Sequence, residues 1–158
     1  MIKNVIGDIL TPNKENKGII VCHQVNCRGV MGAGLALQVK TMYPDVYDTY
    51  RDKCRQIAVG IGGLGDVQFC SVIAEAGYII ANVFGQYRYG RGKRYTEYDA
   101  LRKAFGKIAM SFPTYTIRIP YRMGCGLAGG DWKVIYGIIE ETLVAAGLDV
   151  EIWHKKEK

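Results

Sequence analysis

Apolar residues along the chain gather into short runs rich in β-branched side chains, each closed by glycine, proline or a polar cluster, and such runs predict strands. They occupy Ile2 to Ile6, Gly18 to Cys22, Val67 to Ala74, Tyr78 to Phe84, Thr116 to Ile119 and Val150 to Trp153, with Ala76-Gly77 as a hairpin-like turn between the third and the fourth. Elsewhere the apolar spacing changes to three and four residues. Leu101, Ala104, Phe105, Ile108 and Phe112 predict a helix, with Thr96 as its N-cap and Glu97 and Asp99 in its first turn. Trp132, Ile135, Ile139 and Leu143 predict a second, starting near Asp131 and stopped by Gly147. Two more are expected at Gly34 to Met42 and Asp45 to Arg55, separated by Pro44.

This alternation of strands and helices predicts an α/β fold of three layers, a mixed central sheet with helices on both faces. At 158 residues, with no repeat and no Pro/Gly/Ser-rich linker, the chain is read as a single domain, residues 1–158. In open sheets of this kind ligands lie beyond the carboxyl ends of the strands, where loops enter helices. Two loops fit that place. Asn26 to Gly34 follows the second strand and runs into a helix; Met123 to Trp132 (MGCGLAGGDW) follows the fifth and does the same. Glycine removes the side chain that would hold a ligand off the backbone, and the helix start behind it offers unpaired N–H groups and a positive dipole end. Two such loops side by side suit a diphosphate. Neither is a Walker loop, and neither carries the dinucleotide fingerprint.

Composition narrows the function classes. No apolar run reaches the roughly 18 residues of a membrane span, so no membrane partner is expected and the protein is read as cytoplasmic. Five cysteines without a Cys-x-x-Cys pair, joined only by His23 and His154, suggest neither a disulfide framework nor a metal site. The net charge of +6 brings nucleic acid to mind, but the basic residues concentrate in YRYGRGKRY (Tyr87 to Tyr95) and in the tail from His154 to Lys158. That distribution weighs against a nucleic-acid partner. The tail reads as a solvated terminus, while the tyrosine-arginine loop suits stacking on a base or on an adenine-containing ligand equally.

Four stretches in this order resemble the macrodomains, which bind ADP-ribose: VIGDIL (Val5 to Leu10), VCHQVNCRGVMGAGLALQVK (Val21 to Lys40), NVFGQYRYGRGKRYTEYDALRKAF (Asn82 to Phe105) and IPYRMGCGLAGGDW (Ile119 to Trp132). The branch most similar holds ADP-ribose 1''-phosphate phosphatases and macrodomains that remove ADP-ribose from macromolecules. The resemblance implies that Asp8, within Gly7-Asp8-Ile9, accepts from the adenine amino group and that Asn26 lies beside the distal ribose. It further implies that Gly29, Val30, Met31, Gly32, Ala33 and Gly34 wrap the diphosphate, with Gly124, Cys125, Gly126, Leu127, Ala128 and Gly129 closing the other side. Phe84 and Tyr87 either line the sugar pocket or, for Phe84, pack the core.

For catalysis the resemblance points to His23, Asn26 and Asp131. His23 either orients water or protonates a leaving phosphate, or is a buried structural histidine. Asp131 either positions water or caps a helix. Cys125, with no base evident beside it, reads as a small loop residue rather than a nucleophile. Lysine-based chemistry used elsewhere in the family has no counterpart: VFGQY stands where some relatives place a lysine, Ala128 where they place an acid, and Ala33 where others carry a lysine in the first loop. The resemblance implies hydrolysis at the distal ribose, foremost of a 1''-phosphate ester, without a cofactor. A de-ADP-ribosylating hydrolase, a non-catalytic ADP-ribose reader and a nucleic-acid module are the competing expectations.

Overall fold

The computed structural model describes residues 1–157. Its strands are β1 (Ile2–Ile6), β2 (Ile19–Val25), β3 (Val67–Val72), β4 (Tyr78–Phe84), β5 (Thr116–Pro120) and β6 (Val150–His154). They form one sheet in the order β1-β6-β5-β2-β4-β3. All neighbours are parallel except β3, which pairs antiparallel to β4. The helices are α1 (Gly34–Met42), α2 (Pro44–Ala58), α3 (Ile73–Ala76), α4 (Tyr98–Ser111) and α5 (Trp132–Ile139), the last extended by a π turn at Glu140–Val144. None is long and apolar enough to cross a membrane.

Side chains alternate across each strand, and this sorts the core into two layers. Ile20 and Cys22 of β2, Ile79, Ala81 and Val83 of β4, and Ile117 and Ile119 of β5 face α4 and α5. Val21, Val25, Ile80 and Phe84 face α1 and α2. As a central strand β4 is buried at all seven residues, which is why its sequence YIIANVF is nearly all apolar. Helix α2 buries Val46, Tyr50, Cys54 and Ile57 along one stripe, and α4 buries Leu101, Ala104, Phe105 and Ile108.

The structure corrects several element boundaries. The third strand stops at Val72 rather than Ala74, because its register pairs Val72 with Tyr78 and leaves residues 73–77 to reverse the chain. A two-residue turn at Ala76-Gly77 cannot close that gap. One short helix does, ended by Gly77 in the left-handed region at φ 79°, where an L side chain is strained. Helix α2 begins at Pro44, whose missing N–H costs nothing in a first turn. Thr96 is not the cap of α4: Glu97 takes that place, and the Thr96 hydroxyl is used elsewhere. Strand β2 continues to Val25, three residues beyond expectation, so His23, Gln24 and Val25 alternate across the sheet instead of lying in a loop.

Candidate functional site

Strands β5, β2 and β4 are neighbours, so the loops after their carboxyl ends meet. The first, residues 26–33, is built around a buried amide. Asn26 Nδ2 donates to Val30 O at 2.7 Å, and Oδ1 accepts from Arg28 N at 2.9 Å and from the Tyr50 hydroxyl at 2.9 Å. The same hydroxyl donates to Asn26 O at 2.8 Å. These bonds turn the chain so that the start of α1 faces outward. Its N-cap is Ala33, which has no side-chain oxygen to offer, and its first turn holds no acid. Among the described residues the N–H groups of Gly32, Ala33 and Gly34 meet no acceptor. The result is a helix N-terminus with its donors and its positive dipole end open to a ligand.

The second loop turns its carbonyls inward. Gly124 O accepts from Gly130 N at 2.8 Å and from the Thr96 hydroxyl at 2.7 Å, and Ala128 O accepts from Tyr95 N at 2.7 Å. The N–H groups of Gly126, Leu127 and Ala128 are left without a protein acceptor among the described residues. Glycine at 124 is demanded twice over: φ is 75°, and a Cβ would lie 2.8 Å from Gln24 Oε1. Gln24 connects the loops, since its Nε2 donates to Gln86 Oε1 at 2.8 Å and to Thr96 Oγ1 at 2.9 Å. Cys27 N donates to Tyr87 O at 2.9 Å, joining the first loop to the one after β4. Two rows of free donors thus stand at adjacent strand ends on a cross-braced frame, an arrangement suited to an extended anion such as a diphosphate.

A third segment follows β1. Asp8 is exposed, with Oδ1 accepting from Leu10 N at 2.9 Å, while the Ile9 and Leu10 side chains are buried. Three successive carbonyls anchor it from below: Arg118 Nη1 donates to Ile9 O at 3.0 Å and to Thr11 O at 2.7 Å, and Tyr78 donates to Leu10 O at 3.0 Å. Arg118 is itself 5% exposed and lies over the Trp153 ring at 4.7 Å. A Cβ at Gly7 would approach the Trp153 ring to 3.2 Å, so the ring would have to give by a few tenths of an ångström.

The catalytic candidates separate. His23 is buried on the α1/α2 face, with Nε2 2.6 Å from Asn82 Oδ1. Asn82 Nδ2 donates to Gln68 Oε1 at 2.9 Å, so its oxygen faces the ring and His23 Nε2 carries the proton. Burial lowers the His23 pKa from its ordinary value to about 4, against the smaller opposing effect of the Asn82 bond. A neutral, enclosed imidazole does not protonate a leaving phosphate, so the buried structural role is the one the geometry fits. Asn26 is likewise committed: its oxygen is filled by the loop and by Tyr50, leaving one N–H for a ligand. Asp131 caps α5 by accepting from Lys133 N at 2.9 Å, and is exposed just after the second loop.

Of the two readings left open for Phe84, the structure fits the core one. The side chain is fully buried and stacked on Tyr50 at 5.8 Å between centroids, so it lines no pocket. Met31 is also buried, whereas Val30, Tyr87 and Leu127 are exposed. Burial raises the Cys125 thiol pKa, and its Sγ donates weakly to Met123 O, leaving no thiolate for nucleophilic attack. Gln24, Tyr50, Tyr78 and Arg118 hold the loops in place, and sequence reasoning passed over them; Thr96, which does so too, was read as a helix cap. Only Arg118 left a visible trace, as a lone cation inside the apolar strand TIRIP. Among the described residues no group of His, Cys, Asp and Glu is placed to hold a metal. Hollows of about 350 Å³ beside Lys17 and Tyr115, and about 340 Å³ between Pro44 and Phe69, are lined by no residue of the glycine loops.

No family model matches the chain. It is 30% identical over 155 residues to a DNA ADP-ribosyl glycohydrolase of Thermus aquaticus, a match covering 97% of this chain and 40% of that relative's length. It is 36% identical over 61 residues to an ADP-ribose 1''-phosphate phosphatase of Meyerozyma guilliermondii, covering 39% of this chain and 35% of the relative. Among solved structures, a macrodomain protein from Streptomyces coelicolor superimposes with a TM-score of 0.77 at 28% identity, over 97% of this chain and 98% of that one.

Proposed function

This chain belongs to the macrodomain family, and from that premise we propose that it binds ADP-ribose across the two glycine loops and hydrolyses an ADP-ribose conjugate at the distal ribose. The observation that carries the reading is the pairing of the uncapped N-terminus of α1 with the free N–H groups of Gly126, Leu127 and Ala128. A diphosphate bridging them satisfies donors that the protein leaves open. In this reading Asp8 accepts from the adenine amino group with the Ile9 N–H beside it, and the remaining N–H of Asn26 meets a hydroxyl of the distal ribose. Tyr87, Val30 and Leu127 border the cleft.

Removal of ADP-ribose from a macromolecule, with DNA as its carrier, is the leading activity. It is supported by the glycohydrolase similarity along nearly the whole chain and by the burial of His23, the residue on which phosphate-leaving chemistry would have rested. The step is attack of water at the anomeric carbon of the distal ribose. The bond to the carrier breaks, its electron pair departs with the carrier, and the proton lost by water balances the one the carrier gains. The exposed Asp131 carboxylate, with one oxygen outside its capping bond, orients that water. Hydrolysis of ADP-ribose 1''-phosphate is the second reading, favoured by the 36% identity to the phosphatase over the matched segment. One incubation separates them: the protein is given an ADP-ribosylated oligonucleotide and, in parallel, ADP-ribose 1''-phosphate. Release of free ADP-ribose from the first, with little phosphate from the second, is the expected result. The reverse outcome installs the phosphatase, and binding without turnover of either makes the chain a reader.

A further inference from the structure

The excursion from Tyr87 to Tyr95 is not consumed by that reading. It leaves the sheet after β4 and is closed by a bridge between Gln86 and Thr96. Within it Arg88, Arg91, Lys93 and Arg94 accompany no acid, and they account for four of the six net positive charges of the chain. All four are exposed, and among the described residues none pairs with a carboxylate. Two of them lie over rings instead, Lys93 over Tyr95 at 5.0 Å and Arg94 over Tyr98 at 4.3 Å. Tyr89 is 54% exposed between Arg88 and Arg91.

Unpaired surface cations are ordinarily just solvated; the placement of these decides otherwise. Tyr87 O accepts from Cys27 N of the first glycine loop, Tyr95 N donates to Ala128 O of the second, and a Cβ at Gly129 would meet Lys93 O at 2.8 Å. The basic excursion is therefore rooted on both glycine loops, so a macromolecule carried by a ligand held between them would meet it. Cations match phosphates, and an exposed tyrosine among them matches a base face, which a single strand offers and a duplex hides. We propose that residues 87–94 form an arm for single-stranded nucleic acid, with Arg88 and Arg91 on phosphates and Tyr89 stacked on a base next to the modified nucleotide. The proposal rests on the ADP-ribose reading for the site but has its own readout.

The test uses an unmodified, fluorescently labelled oligothymidine of about 12 nucleotides, within the site size of single-strand binders. Its anisotropy is titrated with the protein, with Arg88→Ala/Arg91→Ala and with Tyr89→Ala, and each is also titrated with ADP-ribose. The native protein is expected to bind the strand more weakly as salt rises, and the double variant to lose about 1.4 from the slope of log K against log salt. Tyr89→Ala is expected to bind at least about fivefold more weakly with its salt slope kept. All three should bind ADP-ribose equally. No strand binding by the native protein, or none lost in the double variant, overturns the arm. So does equal affinity for duplex without any effect of Tyr89→Ala, which makes the excursion a general anion patch, and so does preference for phosphatidylserine vesicles over the strand. Failure of the ADP-ribose titration alone sinks the site reading and leaves the strand result to stand by itself.

Discussion

On the face of the sheet covered by α4 and α5, one continuous apolar cluster runs from Ile20 through Phe105 and Ile117 to Ile152, whereas the face covered by α1 and α2 is divided. There Ile9, Val21, Val39 and Ile80 form one cluster, and Val25, Met31, Tyr50 and Phe84 another. Across this second face His23, Asn82 and Gln68 stand in register on three adjacent strands, and Gln68 Nε2 donates to Thr49 O of α2. The same face carries Arg118 and the Tyr50–Asn26 bonds that hold two of the three ligand loops. One face supplies bulk burial; the other gives up apolar contact to place polar groups that hold the loops of the proposed ligand site. Buried polar groups of this kind specify geometry when every partner is present and cost free energy when one is lost.

The largest separation is expected from Phe105→Ala, which opens a cavity in the continuous cluster and should cost about 3–5 kcal/mol. Denaturant unfolding measures the loss, and ADP-ribose affinity of the folded protein should hold; a drop in affinity would erase the division of labour between the faces. Next comes acid. His23 binds a proton near pH 6.5 when unfolded but only near pH 4 when folded, so the unfolded chain takes up more protons between these values and stability falls as pH drops through that window. The loss reaches up to about 3 kcal/mol, and His23→Gln, which keeps a donor for Asn82, should flatten it. Asp66 acts lower on the scale. Burial alone would raise its pKa, but the Gly63 N–H, Lys53 and Lys107 outweigh burial and hold the carboxyl well below its usual range, so its share is lost only below the ordinary carboxylate pKa. An unchanged His23→Gln profile across the upper window would show that the polar row does not exclude charge.

Tyr50→Phe removes the one hydroxyl proton that Asn26 O and Oδ1 share, with little change of shape, and about 1–3 kcal/mol of stability should go with it. Calorimetry should show ADP-ribose affinity falling as well, because the loop that sets the start of α1 relaxes; stability lost at constant affinity would confine Tyr50 to packing. The smallest effect is expected at Asp131, where Asp131→Ala removes a cap worth about 1 kcal/mol. Its informative readout is turnover, which should fall while ADP-ribose affinity stays, and equal turnover would leave Asp131 a cap alone.

How much of this was legible follows the same division. Continuous β-branched apolar runs and the three- and four-residue spacing of Leu101 to Ile108 marked the sheet and α4, because burial against apolar layers needs only apolar residues in the right places. The glycine loops were visible since positive φ at Gly124 and Gly129, and the lack of space at Gly124, leave glycine little competition. What stayed hidden was where polar side chains point. Asn26 keeps one N–H for a sugar hydroxyl, but nothing local showed that its amide also makes four bonds to its own loop and Tyr50. Thr96 looked like a helix cap, but a strand 72 residues away supplies its donor, Gln24. Long-range partners of this sort leave no local pattern, and Phe84 stayed open between core and pocket for the simpler reason that aromatic residues serve both.

The central claim is that two rows of free backbone N–H groups grip one diphosphate. It is tested most directly by following amide resonances of the native protein during titration with ADP-ribose. Gly32, Ala33, Gly34, Gly126, Leu127 and Ala128 are expected to shift together and saturate at one equivalent. Shifts confined instead to the hollow beside Lys17, Gly77 and Tyr115, or no saturable shift in either loop, would contradict the account.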